Sequence, residues 1–120
     1  MEDYKSALTM KVQKHKKYTV LIFDGSLDKA GLESVREQIE HEVDAASGEA
    51  LVMDFTKLNF INSESIGLLL TLHLRLDKRE KKLVLFGADE HVRDVLNVIG
   101  MLSIISSYPT EKDMLEALKF

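Results

Sequence analysis

The strongest candidate for chemistry in this sequence is a serine-containing turn between an apolar segment and a leucine-rich one. Residues 54–70 are DFTKLNFINSESIGLLL, and the turn is formed by Asn62, Ser63, Glu64 and Ser65. A helix that begins here places the Ser63 hydroxyl at its positive N-terminal end, where added negative charge is favoured. Such a position supports phosphorylation, which adds roughly 1.5 to 2 negative charges at neutral pH.

The same turn also has a purely structural interpretation. Asn62 or Ser63 can cap the helix by accepting hydrogen bonds from its exposed amides, a contribution of about 1 kcal/mol. Glu64 and Ser65 suit a first helical turn as well. The turn alone therefore leaves two roles open for Ser63, a helix cap and a regulatory hydroxyl.

The familiar sequence signatures of enzymes are missing. There is no glycine-rich nucleotide loop, and Ser63 lies in FINSES instead of a nucleophile elbow. The four histidines share no metal-ligand spacing, and the absence of cysteine excludes a thiolate zinc site and a cysteine nucleophile. Asp54 could be considered as a phosphoryl acceptor, but the end of the first strand offers basic residues instead of the acidic pair that would hold Mg²⁺. We predict no catalytic residue, no metal site, no cofactor and no enzymatic activity.

Composition and charge describe an acidic globular domain. The chain has 120 residues, of which 45% are apolar, and a formal net charge of −4. An acidic balance disfavours binding to nucleic acid or to anionic membranes, and no apolar run approaches the ~18 residues of a membrane span. The first residues also lack the order of a signal peptide. We expect one domain over residues 1–120, with a core of about 8–118, in the cytoplasm.

Hydrophobic periodicity predicts the elements that position the turn. Alternating or continuous apolar runs predict strands, and apolar spacings of three and four predict helices. The predicted strands cover residues 8–12, 18–23, 50–55, 83–86 and 104–105, and the predicted helices cover 28–43, 63–79, 90–99 and a segment from 110. Strands that alternate with helices predict an α/β protein with a mixed, mostly parallel sheet and an N-terminal antiparallel hairpin.

The helix predicted at 63–79 is apolar on more than one face. Gly67 costs roughly 1 kcal/mol relative to alanine in a helix, so it indicates close packing against a strand or a partner. Core packing explains most of the leucines. Leu68, Leu72 and Leu76 are candidates for an outer edge that contacts a partner.

Together with the order of elements, the segment GSLD at 25–28 and the segment 54–67 resemble a STAS domain. More narrowly, the sequence is similar to stand-alone bacterial anti-sigma factor antagonists over about residues 8–118. The resemblance implies helices packed on one face of the sheet. It also implies a partner that is an anti-sigma factor serine kinase, which uses ATP to phosphorylate the serine at the start of the second helix, and a serine phosphatase that restores binding.

By position in the family, the acceptor is Ser63, with Ser65 as a second candidate. The resemblance implies that the partner-binding residues are Asp28, Asn62, Ser63, Glu64 and Gly67. The family usually has aspartate where Asn62 stands, and a small residue followed by glycine where Glu64 and Ser65 stand.

Two functions therefore stay open. One is a phosphorylation-controlled partner switch that regulates sigma-factor-dependent transcription. The other is a STAS interaction subunit of a transporter or signalling scaffold that is not phosphorylated. In either case we expect a monomer when the protein is free, without nucleic acid and without insertion into a membrane.

Overall fold

A five-stranded sheet with the strand order β1-β2-β3-β4-β5 forms the centre of the protein in the computed structural model, which describes residues 8–120. The strands are β1 (Thr9–Lys14), β2 (Tyr18–Leu27), β3 (Ala50–Ile61), β4 (Lys82–Phe86) and β5 (Ser106–Tyr108). The helices are α1 (Lys29–Ala45), α2 (Ser63–Asp77), α3 (Glu90–Ile99) and α4 (Glu111–Leu118), with a 3₁₀ turn at Met101–Ser103. The β1–β2 pair is antiparallel and the other pairs are parallel, which confirms the predicted fold class.

The two faces of the sheet are covered differently. On one face, alternate strand residues such as Leu21 and Leu85 form the main core with α1, α2 and α3. On the other face, Val52 and Val84 pack with Met114 of α4. The expectation of helices on one face thus describes α1 to α3, and α4 covers part of the opposite face because it has an apolar side of its own.

β2 and β3 run further than the sequence predicted, to Leu27 and Ile61. β3 pairs with β4 only as far as Asp54, so beyond that residue β2 and β3 continue as a two-stranded extension. The pairing passes a register shift at Gly25, whose φ of 125° is a conformation that glycine adopts without strain. The extension carries the starts of α1 and α2 to the same edge of the molecule.

The strand predicted at residues 104–105 is wrong. Those residues follow the 3₁₀ turn, and β5 begins at Ser106. Ile105 is buried in the core, whereas Ile104 is exposed. The two isoleucines therefore lie at a bend before β5, where only one of their side chains enters the core.

Two helical glycines have opposite surroundings. A Cβ at Gly31 would lie 2.1 Å from the carbonyl oxygen of Ser26, so α1 approaches the end of β2 very closely. A Cβ at Gly67 would meet no atom within 4 Å apart from its own helix and chain neighbours. Of the two alternatives predicted for Gly67, packing against a strand is wrong, and packing against a partner stays a prediction. α2 presents bare backbone to solvent at that point.

Replacing each glycine by alanine should change stability in opposite directions. Gly31→Ala should lower the free energy of unfolding by about 1–3 kcal/mol, because the new methyl group overlaps a backbone oxygen. Gly67→Ala should raise it by about 0.5–1 kcal/mol, because alanine is the better helix former and has open space. Urea denaturation of the two variants measures both changes. A loss of stability in Gly67→Ala would contradict the open surroundings of this residue.

Candidate functional site

The candidate site is the end of the β2–β3 extension, where α1 and α2 begin side by side. The backbone N–H of Asn62 donates to the carbonyl oxygen of Leu27 at 2.9 Å, and the Ser65 hydroxyl donates to the same oxygen at 3.3 Å. In the residue before Leu27, the Ser26 hydroxyl donates to Oδ1 of Asn59 at 2.5 Å. These contacts hold the ends of β2 and β3, from which the two helices start, in one fixed arrangement.

Both helices start with the same capping geometry. Asp28 has extended backbone (φ −91°, ψ −171°), and its Oδ1 accepts from the N–H of Gly31 at 2.8 Å. Asn62 is also extended (φ −93°, ψ 170°), and its Oδ1 accepts from the N–H of Ser65 at 2.8 Å. Asp28 therefore caps α1, and Asn62 caps α2. The hydroxyl of Ser63 is therefore not needed to start α2.

The two candidate acceptor serines differ in access. Ser63 is the first residue of α2 and is exposed. Ser65 is only 2% exposed and its hydroxyl is bound to Leu27. An enzyme that must reach a hydroxyl from solvent can reach Ser63, and it cannot reach Ser65 without opening the first turn of α2.

Glu64 has a partner that sequence reasoning missed. Nη1 of Arg36, on α1, lies 3.4 Å from Oε2 of Glu64. Exposed pairs of this kind contribute about 0–1 kcal/mol, so the pair matters here mainly because it offsets a negative charge beside Ser63. Residues 36 and 64 lie far apart in the sequence, and only the packing of α1 beside α2 brings them together.

The outward face of α2 is not the one that was predicted. Leu68, Leu72 and Leu76 are buried, so the expectation that they form an outer edge is wrong. The exposed leucines are Leu70 (37%) and Leu74 (52%). Leucine occupies so many positions of this helix that its sequence does not mark which side faces the core.

Within residues 8–120, no three histidine, aspartate or glutamate side chains are grouped in a way that could hold a metal ion. None of the helices in this range has the length and apolar character needed to cross a membrane.

Comparison with known proteins agrees with this geometry. A sequence model of the STAS domain family matches residues 9–114. The chain belongs to the STAS domain family. Its fold is shared with an anti-sigma factor antagonist from Mycobacterium paratuberculosis, at 23% identity and a TM-score of 0.83, over 94% of this chain and 95% of that one.

Two further solved structures show the range of proteins that share this STAS fold. One is the Bacillus cell fate determinant SpoIIAA in its phosphorylated form, at 19% identity and a TM-score of 0.69, over 92% of this chain and 99% of that one. The other is the STAS domain of a SulP transporter from Vibrio cholerae, at 17% identity and a TM-score of 0.67, over 89% of this chain and 84% of that one. At these identities the similarity is one of fold.

The cap of α2 in this STAS domain can be tested by two substitutions at one position. Asn62→Ala should lower the free energy of unfolding by about 1 kcal/mol, because the N–H of Ser65 loses its acceptor. Asn62→Asp keeps the oxygen and adds negative charge at a helix N-terminus, so stability should stay unchanged or rise by about 0.3–1 kcal/mol. Denaturation curves at low ionic strength give both values. If Asn62→Asp lost as much stability as Asn62→Ala, the capping role of the side-chain oxygen would be contradicted.

Proposed function

We propose that this protein is an anti-sigma factor antagonist. It binds an anti-sigma factor that is also a serine kinase, and phosphorylation of Ser63 ends that binding. The observation that carries the proposal is the exposed Ser63 at the start of α2, in a first turn that the Asn62 side chain already caps. The shared fold with an anti-sigma factor antagonist, and with SpoIIAA in a phosphorylated form, supports the same assignment.

The chemistry in this proposal is phosphoryl transfer to a serine. The Ser63 oxygen attacks the γ-phosphorus of ATP held by the kinase, ADP leaves, and the hydroxyl proton passes to a base of the kinase. Catalysis belongs to the partner, so this chain needs no cofactor and no catalytic residue. A serine phosphatase hydrolyses the phosphoserine and restores binding. We expect the protein to be cytoplasmic, and to be a monomer when it is free of the kinase.

The structure around Ser63 suits a switch that acts by repulsion. A phosphate at this position lies at the positive end of α2, so the fold tolerates its charge. A partner surface docked over the same residue, in contrast, must accommodate a nearly doubly charged group. A cost of about 2–3 kcal/mol would weaken binding about 30- to 150-fold, which is enough for a switch.

The neighbours of Ser63 contribute to the same surface in this proposal. Asp28 and Asn62 lie at the starts of the two adjacent helices, and Gly67 lies one turn after Ser63. Glu64 departs from the family pattern, but its charge is offset by Arg36. We expect these four residues, with Ser63, to form the contact with the kinase.

Substitutions at the two serines test the proposal. Ser63→Ala should take up no phosphate from the anti-sigma factor kinase encoded nearest its gene, and Ser65→Ala should still take up one, as measured by intact-protein mass. Ser63→Asp should weaken binding to that kinase about 30-fold or more, because it places a negative charge in the contact. Its free energy of unfolding should stay within about 1 kcal/mol of the wild type.

One phosphate on wild-type protein that maps to Ser63 would support the switch. Full phosphorylation of Ser63→Ala would overturn the choice of residue.

A second candidate function is a STAS interaction subunit that is not phosphorylated. The fold shared with the STAS domain of a SulP transporter favours it, as does the departure from the family pattern at Asn62, Glu64 and Ser65. An unchanged mass, with the same kinase active on another antagonist, would favour this alternative.

A further inference from the structure

α2 presents an apolar stripe to solvent that begins one turn after Ser63. The stripe consists of Gly67, Leu70 and Leu74, which follow Ser63 at spacings of four, three and four and therefore share one face of the helix. Leu70 is 37% exposed and Leu74 is 52% exposed, although most other leucines of α2 are buried. At Gly67 the bare backbone allows another chain to approach closely.

α1 presents an acidic ridge beside this stripe. The ridge consists of Glu33, Glu37, Glu40 and Asp44, again at spacings of four, three and four on one helix face. α1 as a whole has five acidic residues against two basic ones. Glu33 and Glu37 are exposed and have no ion-pair partner among residues 8–120.

Arginines join the stripe and the ridge into one surface. In α2, Nη2 of Arg75 lies 2.5 Å from Oδ1 of Asp44, and Nη1 lies 2.9 Å from Oε1 of Glu40. These two hydrogen bonds, of which the one to Asp44 has the larger effect, raise the pKa of Arg75 above its ordinary value. Beyond the end of α2, Arg79 donates to the carbonyl oxygens of Val43 and Ala46, each at 2.7 Å. The two helices are thus fixed side by side, with the unpaired acids at the end of the ridge nearer to Ser63.

We propose that the stripe and the ridge together dock an amphipathic helix of a partner protein, in which apolar residues are flanked by lysine or arginine. The apolar side of that helix covers Leu70 and Leu74, and its basic residues face Glu33 and Glu37. We assign this helix to the anti-sigma factor kinase, so the identity of the partner rests on the proposed function. It adds a second contact area to the one around Ser63.

The charge of the surface selects this occupant over a second copy of the same chain. Two copies that met through their α2 stripes would bring two acidic ridges close together, and the whole chain already has a net charge of −4. Like charges at an interface oppose association, whereas a basic flank is attracted. A purely basic segment would leave Leu70 and Leu74 uncovered, so the partner must supply apolar side chains as well as basic ones.

The exposed leucines of the docking area are separate from the switch along α2. Leu74 is eleven residues beyond Ser63, about 16 Å along the helix axis. Phosphate on Ser63 therefore acts on the part of the partner that faces the helix start. The stripe should contribute to affinity for both the unmodified and the phosphorylated protein.

The surface can be tested without any kinase. Amide chemical shifts of the full chain are followed while a synthetic helical peptide of leucine and lysine is added, with a leucine and glutamate peptide of the same pattern as control. The lysine peptide should shift amides of α1 and α2, and the effect should fade as salt rises because the attraction is screened. Equal effects of both peptides, or shifts confined to α3 and α4, would overturn the proposal.

Variants then test the same surface with the purified anti-sigma factor kinase. Leu74→Gln and Glu37→Lys should each weaken binding about 10-fold, and the loss should also be seen with phosphorylated protein. The matched controls are Val98→Gln, at an apolar position of α3 that is 86% exposed, and Glu116→Lys on α4. The controls should stay within about twofold of wild type.

The failure of this proposal is distinguishable from that of the proposed function. If Leu74→Gln and Glu37→Lys bind as the controls do, the docking surface is wrong while the switch at Ser63 stands. If no anti-sigma factor kinase binds the wild type, the proposed function fails, and the peptide titration still decides whether the surface takes a basic amphipathic helix.

Discussion

The carbonyl oxygen of Leu27 is the contact on which the rest of the site depends. It accepts hydrogen bonds from the N–H of Asn62 and from the hydroxyl of Ser65. Because α1 and α2 begin immediately after these two chain segments, this one oxygen sets both helix starts at the same edge. It also explains the difference between the serines, since Ser65 is turned inward to reach Leu27 and Ser63 is left outside.

Local features of the site were predictable, and contacts between distant segments were not. The cap at Asp28 follows from a residue type and its neighbours, which the sequence displays directly. The extension of β2 and β3 was not predicted because only two strands pair there. Its residues are less completely buried, so they lack the continuous apolar run that predicts a buried strand. The outward face of α2 was assigned wrongly because its leucines stand at every second residue from Leu70 to Leu76, and this spacing hides the helical period. The pairing of Arg36 with Glu64 needed the packing of α1 beside α2.

α1 and α2 behave as one structural unit. Arg36, midway along α1, reaches the start of α2, and Arg75 and Arg79 join the two helices near their ends. A charge added at Ser63 therefore meets a surface that is held in place at both ends. In the proposed switch the change that matters is electrostatic, and the partner responds to the altered surface without any need for a movement of the helices.

The contacts that build the site join residues far apart in the chain. Ser26 and Asn59 are 33 positions apart, and Leu27 and Ser65 are 38 positions apart. Pairings of such long range form only once most of the chain has found its native topology. A short peptide cut from the α2 turn lacks every one of these contacts. The arrangement around Ser63 is therefore a property of the completed fold, and a protein that recognises it in this form recognises only chains that have finished folding.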